Sequence, residues 1–291
     1  MSDDRRAVTV AEAVAAARDA LAAGGIPAEE APGDAEVLAR HALGWDLARY
    51  ATSRRDCAPA VFIERYHALI ARRLTREPVS QITGHREFWG LEFEVTRDVL
   101  TPRPETELIV EAALEVWPDV RRTNPSPIIV DVGTGSGCIA IALATELPEA
   151  RFIASDASFS ALAVARRNAA RHGVSTRIAF LHSALILPER DVDIVVANPP
   201  YIPMRDHALL PPEVRDYEPE LALFGGEDGL NIYRQLFMCP KDLSDNGRMI
   251  VEVGYDQAHA VADLAKREGW LLESMKKDLQ GIPRTLVFRK P

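Results

Sequence analysis

Asn198-Pro199-Pro200-Tyr201 follows directly on an apolar run, Ile194 to Ala197, that reads as a strand. Two consecutive prolines remove backbone donors and hold the peptide in a fixed, extended shape. The strand end therefore presents a carboxamide, a backbone carbonyl and an aromatic ring together. A plain strand-terminating turn would account for the prolines but would not require both Asn198 and Tyr201. A second segment, Asp131-Val132-Gly133-Thr134-Gly135-Ser136-Gly137, lies where a strand gives way to a helix, so its amides and the positive helix end face whatever binds there. No Gly-Lys-Ser/Thr closes it, which disfavours a phosphate-gripping loop. Its glycines lack the dinucleotide spacing, and Ser136 has glycine directly on both sides, unlike a hydrolase elbow. Asp156 ends the next strand, where a carboxylate can accept two hydrogen bonds from a ribose diol. The alternative for Asp156 is an N-cap for the helix through Leu162.

The surrounding pattern shows what must position these groups. Val10, Val14, Ala17 and Leu21 recur at helical spacing, and Ala35 to Leu43 and Ala60 to Leu74 repeat the pattern, so residues 1–77 read as a small helical domain. On the last of these helices Val61, Tyr66, Leu69 and Ile70 are apolar, while Arg65, Arg72 and Arg73 form either a solvated face or a partner contact. Arg86 to Val95 is β-rich with a glycine near its middle and reads as a hairpin within a linker over 78–103. Pro102 and Pro104 then stiffen the entry to a helix through Leu108, Val110, Ala113 and Val116. From 104 to 291 strands and helices alternate. Strands are expected at Ile128–Val132, Arg151–Ser155, Arg177–Leu181, Val192–Ala197, Arg248–Val253, Leu271–Met275 and Arg284–Arg289. Helices are expected at Gly137–Leu147, Ser158–His172, Gly229–Pro240 and Gln257–Glu268. This alternation predicts an α/β fold, doubly wound, with a mainly parallel seven-stranded sheet and ligands gathered at the carboxyl ends of its strands.

An acidic residue two positions before the first glycine, with Asp156 after the next strand, resembles the cofactor loop of class I S-adenosylmethionine methyltransferases. The resemblance implies S-adenosyl-L-methionine as cofactor. Asp131, Gly133, Thr134, Gly135, Ser136 and Gly137 would wrap its methionine part, Asp156 would hold the ribose, and Asn198 would border it. The quartet is similar to the acceptor motif of methyltransferases acting on planar nitrogens, either a glutamine amide or the exocyclic amino group of a nucleobase. In that family the asparagine oxygen and the first proline's carbonyl accept the two N–H bonds, here Asn198 and Pro199. Pro200 stiffens the corner and Tyr201 lies against the acceptor.

A closer resemblance covers nearly the whole chain. Pro78 to Gly84, Arg86 to Gly90, Pro102 to Glu107, Tyr217 to Pro219 and Leu223 to Leu230 resemble segments of the protein-(glutamine-N5) methyltransferases that modify peptide-chain release factors. It implies a glutamine acceptor in the Gly-Gly-Gln motif of class I release factors, an N-terminal helical domain that helps grip them, and a cytoplasmic site of action. The alternatives are an adenine-N6 or guanine-N2 nucleic-acid methyltransferase and a catalytically silent binding protein. His182-Ser183-Ala184-Leu185 departs from the family pattern and leaves the adenine contacts unassigned, although Leu185 could pack on the ring. Glu252 reads as structural.

Composition agrees with this class. The 291 residues are 47% hydrophobic and 26% charged, as in globular proteins generally. Against 43 Asp and Glu stand 34 Lys and Arg, giving a formal charge of −9, the wrong sign for gripping long phosphate backbones. Cys57, Cys138 and Cys239 show no paired spacing and read as reduced thiols. The histidines are too scattered for a metal site, and none is expected. The polar Met1 to Arg6 and the lack of a long apolar run disfavour a secretory leader or a membrane span.

Overall fold

Helix formation begins at Thr9, whose hydroxyl accepts the Glu12 amide at 3.2 Å while the Glu12 carboxylate accepts the Thr9 amide at 2.8 Å, a reciprocal cap. The computed structural model describes residues 8–183, 191–238 and 243–290, which form two units. Ala184, Leu185, Cys239 and Pro240 lie outside the described residues.

The helical unit holds α1 (Val10–Ala23), α2 (Ala31–Leu43), α3 (Leu47–Ser53), α4 (Ala60–Leu74) and α5 (Val79–Thr83). Leu21, Leu38, Phe62, Tyr66 and Ile70 fill its core, and the Tyr66 hydroxyl donates to the Ala35 carbonyl at 2.8 Å. Val61 faces outward instead, and the inward position on α4 belongs to Phe62.

The sheet unit starts with β1 (His85–Phe88) and β2 (Leu91–Glu94), an antiparallel hairpin turned by Trp89 and Gly90, both at positive φ. Two such residues give a turn whose twist matches that of the strands. It continues through α6 (Glu107–Thr123), β3 (Ile128–Val132), α7 (Cys138–Glu146), β4 (Arg151–Asp156), α8 (Phe159–Arg171), β5 (Ile178–His182) and β6 (Val192–Ala197). Pro212–Tyr217, with α9 (Pro212–Arg215), belongs to the helical unit. The chain then forms α10 (Glu220–Leu223), α11 (Asn231–Phe237), β7 (Leu243–Glu252), α12 (Ala258–Arg267), β8 (Leu271–Lys277) and β9 (Pro283–Arg289) in the sheet unit.

Seven strands lie in the order β5-β4-β3-β6-β7-β9-β8, all parallel except β9, which runs against both neighbours. Ile129 on β3 packs with α6 and α7 side chains on one face, and Val130 and Val132 pack with α11 and α12 side chains on the other. β3 and β6 are buried along their whole length, which is why each is apolar on both faces apart from one buried aspartate, Asp131 and Asp193. Strand order reverses between β3 and β6, so a crevice opens at their carboxyl ends.

Two features depart from the sequence expectations. The segment expected as a linker over 78–103 is divided: α5 packs with the helical unit through Ile82, whereas the hairpin belongs to the sheet unit through Phe88 and Phe93. Arg73 is neither on a solvated face nor free for a partner. It is 3% exposed and paired with Asp34 at 2.7 Å and Glu213 at 2.9 Å, and Arg76 pairs with Glu213 at 2.8 Å. Buried charge has to be paired in this way, and the partner comes from a segment 140 residues away in sequence.

Asn168, 1% exposed in the middle of α8, makes the hairpin part of this unit. Its Oδ1 accepts the Glu94 amide at 2.8 Å, and its Nδ2 donates to the Glu94 carbonyl at 3.1 Å and the Ser136 carbonyl at 2.9 Å. Asn168→Ala removes three hydrogen bonds, the one to the Ser136 carbonyl buried and the two to the Glu94 backbone part-buried, and is expected to cost about 2–3 kcal/mol, read as a lower urea midpoint with an unchanged slope.

Candidate active site

Three strand ends deliver the candidate residues to one place. The loop after β3 brings Gly133, Thr134, Gly135 and Ser136; the end of β4 brings Asp156; the corner after β6 brings Asn198, Pro199 and Pro200. All of these line a single cavity of about 480 Å³, whose other walls include Val99, Pro102, Arg103, Thr106 and Leu221. Asp131, Gly137 and Tyr201 are not among its lining residues.

Asp131 lies beneath the loop, 1% exposed, and shapes it. One carboxylate oxygen accepts the Thr134 hydroxyl at 2.6 Å and the Ala140 amide at 3.3 Å; Oδ1 has no hydrogen-bond partner among the described residues. Burial pushes its pKa from 3.8 up to about 7 against the pull of those donors. Gly137, at φ +84°, caps α7 where any Cβ would lie 3.1 Å from the Ala165 Cβ on α8, so its task is helix approach. Cys138 beside it is buried, and its thiol is pushed up to about 12, which makes it inert.

Asp156 spans the loop and the next helix. Its oxygens accept the Gly135 amide and the Ser158 amide, each at 2.8 Å, and burial raises its pKa. The N-cap of α8 is Ser158, whose hydroxyl accepts the Ala161 amide, so Asp156 does not fill that alternative role. Each Asp156 oxygen retains acceptor capacity toward the cavity.

These features fit S-adenosylmethionine. Gly133 and Gly135 hold positive φ, and a Cβ built on either meets nothing within 4 Å, leaving the loop backbone open to close approach. The buried Ser136 hydroxyl lines the cavity with no partner among the described residues. A polar amino-acid end would meet this loop and a diol would meet Asp156.

Asn198 is held by its amide nitrogen, which donates to the Thr106 hydroxyl at 3.1 Å. Thr106 in turn donates to Glu252 at 2.7 Å, and the Tyr201 hydroxyl reaches the other Glu252 oxygen at 3.4 Å. Glu252 is 2% exposed, and burial raises its pKa to about 7. Tyr201 thus points its hydroxyl to this carboxylate, while its ring packs among the α11 and α12 side chains. Sequence reasoning singled out neither Thr106 nor the link from Glu252 to the corner.

The Leu223 to Leu230 segment supports the same corner. Ile202 donates to the Leu223 carbonyl at 2.9 Å, Gly225 donates back to Ile202 at 3.0 Å, and Met204 donates to Gly226 at 2.9 Å. A Cβ on Gly225 would lie 2.4 Å from the Pro200 carbonyl oxygen, a distance only glycine avoids. Arg103, which lines the cavity, pairs with the buried Glu218 at 2.5 Å.

Comparison with known proteins defines the class and then the family. Residues 12–84 match the PrmC N-terminal domain, and residues 118–209 match the methyltransferase small domain. The catalytic domain of hMettl16 in complex with MAT2A 3'UTR hairpin 6 shares the fold with a TM-score of 0.56 at 16% identity, over 74% of this chain and 80% of that one. A methyltransferase from Pyrococcus furiosus gives 0.50 at 16% identity, over 76% and 96%. Fold and crevice are those of a methyltransferase, and the chain is an enzyme of that class. The release factor glutamine methyltransferase of Cereibacter sphaeroides is 44% identical over 284 residues, 97% of this chain and 98% of that protein. Its counterpart in Geobacter sulfurreducens is 41% identical over 265 residues, 90% of each. The chain belongs to the release factor glutamine methyltransferase family.

Two outcomes follow from this geometry. Because the folded state holds the Asp131 pKa above its unfolded value, the neutral form is favoured, and the stability it confers at low pH is lost as pH rises toward about 7. Asp131→Asn cannot ionise, so its melting temperature relative to the parent is expected to improve as pH rises from about 4 to about 7 and to level off above that, read by thermal unfolding. Gly225→Ala must displace the Pro200 carbonyl and is expected to cut methyl transfer by roughly tenfold or more with unchanged circular dichroism.

Proposed function

We propose that this enzyme transfers a methyl group from S-adenosyl-L-methionine to the side-chain amide N5 of the glutamine in the Gly-Gly-Gln motif of class I peptide-chain release factors. Family membership supports the release factor as substrate. The observation that carries the chemistry is the Asn198 carboxamide at the end of β6, its nitrogen committed to Thr106 and its residue lining the same cavity as Asp156.

A carboxamide nitrogen is a poor nucleophile because its lone pair is delocalised into the carbonyl. Asn198 Oδ1 and the Pro199 carbonyl are assigned as acceptors for its two N–H bonds. Holding both in fixed directions favours a more tetrahedral nitrogen as positive charge develops, a stabilisation larger in the transition state than in the ground state. S-adenosylmethionine, when bound, supplies the electrophilic methyl. Gly133, Gly135 and Ser136 are assigned to its amino-acid end and Asp156 to its ribose, with Asp131, Thr134 and Gly137 shaping the loop. Pro200 keeps the corner stiff. Tyr201, expected from the motif to lie against the acceptor, does not line the cavity; its ring packs on the core and its hydroxyl meets Glu252, and it is assigned to bracing the corner. Proximity and orientation supply much of the remaining rate, and the displaced proton passes to solvent.

The helical unit over residues 8–84 is assigned to release-factor recognition, in line with its match to the PrmC N-terminal domain. Among the described residues no helix is long and apolar enough to cross a membrane. A substrate that works in translation puts the site of action in the cytoplasm.

The test is mass spectrometry of the release factor's Gly-Gly-Gln peptide after incubation with enzyme and cofactor, with duplex DNA as a parallel substrate. A gain of one methylene mass confined to the glutamine is expected; methylated DNA with an unmodified peptide overturns the proposal. Asn198→Ala is expected to lower kcat by about 10²- to 10³-fold while cofactor affinity changes little, measured by single-turnover kinetics and calorimetry.

A further inference from the structure

Asn198 presents the correct atom to an acceptor only if its amide is turned one way, because the two ends of a carboxamide have nearly the same shape and opposite hydrogen-bonding character. An N–H facing the acceptor would repel the very hydrogens it must hold. Something in the protein has to decide which end faces the cavity.

The decision can be followed atom by atom. Thr106 has one hydroxyl hydrogen. Its oxygen lies 2.7 Å from Glu252 Oε2 and 3.1 Å from the Asn198 amide nitrogen. Oε2 stands as the acceptor of the Thr106 hydroxyl, and a carboxyl keeps an accepting oxygen in either protonation state, so the hydroxyl hydrogen goes to Glu252. The hydroxyl is then left as an acceptor toward Asn198, and only the NH2 end of the carboxamide can satisfy it. Oδ1 is thereby left free for the acceptor. Thr106 is 2% exposed and Glu252 is 2% exposed, so bulk water does not compete for these bonds. The Tyr201 hydroxyl donates to Glu252 Oε1 and holds the carboxylate from a second side, and the Tyr233 hydroxyl donates to the Glu252 main-chain carbonyl at 2.7 Å and holds its backbone.

The three residues are far apart in the chain: Thr106 precedes α6, Glu252 ends β7 and Asn198 follows β6. The reach from Thr106 to Glu252 spans 146 positions. No local turn or cap requires this arrangement, since the Thr106 side chain makes no capping bond to α6.

We propose that Thr106 and Glu252 are positioning residues that set the orientation of the Asn198 carboxamide, with Glu252 as the obligate acceptor that gives the relay its direction. The proposal rests on the reading of Asn198 as the residue that holds the acceptor amide. Glu252 acts through Thr106, and Thr106 through Asn198.

Thr106→Val keeps the shape and removes the relay. In steady-state and single-turnover assays with a release factor, it is expected to lower kcat by roughly 10- to 100-fold, with KM for the release factor and Kd for the cofactor within about threefold of the parent. Thr106→Ser, which restores the hydroxyl, is expected to recover most of the loss. In an Asn198→Ala background, Thr106→Val is expected to cost nothing further, because the group it orients is gone. Glu252→Gln can turn either face to Thr106 and keeps the experiment decisive should the valine variant fail to fold. It is expected to lower kcat in the parent and to be silent in the Asn198→Ala background. Equal, multiplicative losses in both backgrounds would mean a merely structural role and overturn the relay. So would a parent-like kcat in both Thr106→Val and Glu252→Gln. A parent-like kcat in Asn198→Ala itself would instead overturn the functional reading, which keeps the two failures distinct.

Discussion

A planar nitrogen yields its lone pair only when its two hydrogens are held in directions that planarity disfavours, and a floppy holder would follow the nitrogen back to its resting shape. Stiffness at the end of β6 is therefore the constraint on which the rest of the sheet unit depends. The two prolines supply part of it by fixing φ and removing donors. The remainder comes from neighbours: the Ile202 pairing with Leu223 and Gly225, the Gln257 side chain donating to the Tyr201 carbonyl at 2.8 Å, and the Glu252 carboxylate beneath. Glu252 and Asp131 are both buried acids with pKa values raised toward 7, and each organises one bank of the crevice. Burying a carboxyl is costly, so two of them beside one cavity mark where local stability is traded for organisation.

The cofactor side follows a different logic. There, on the proposed reading, the backbone is the recognition surface and the side chains serve to shape it. Asp131 ties Thr134 to the start of α7, Asp156 holds the Gly135 amide, and Asn168 fastens the Ser136 carbonyl to α8 and to the hairpin. The hairpin, with no residue in the cavity, steadies the loop through this single asparagine.

Much of this was legible in the sequence because it depends on local pattern. The strands Ile128–Val132 and Val192–Ala197 and the helix Ala60–Leu74 lie where apolar periodicity placed them, since the first two are buried on both faces and the third carries a clear stripe. The glycine loop and the quartet announce themselves through backbone requirements that few other sequences meet. β7 begins at Leu243 and not at Arg248, because Ser244, Asp245 and Asn246 separate Leu243 from the apolar half and break the apolar signal. The helix expected from Gly229 starts at Asn231, after a glycine loop whose tight packing on Tyr201 no periodicity reveals. Contacts between distant residues were the least visible. Asn168 looks like any polar residue on a helix, and nothing near Arg73 in the sequence points to Glu213. A buried asparagine flanked by Ala165 and Ala169 is the one signal that could have been noticed.

The loan of Pro212–Tyr217 to the helical unit has a consequence for how such chains can be cut and recombined. A fragment ending at Gly84 would leave the buried Arg73 guanidinium without one of its carboxylate partners, and no linker length would restore it. The helical unit is therefore not a detachable cassette. Any natural or engineered exchange of it has to carry along a few residues embedded in the enzyme that follows, so the two halves are bound to change together.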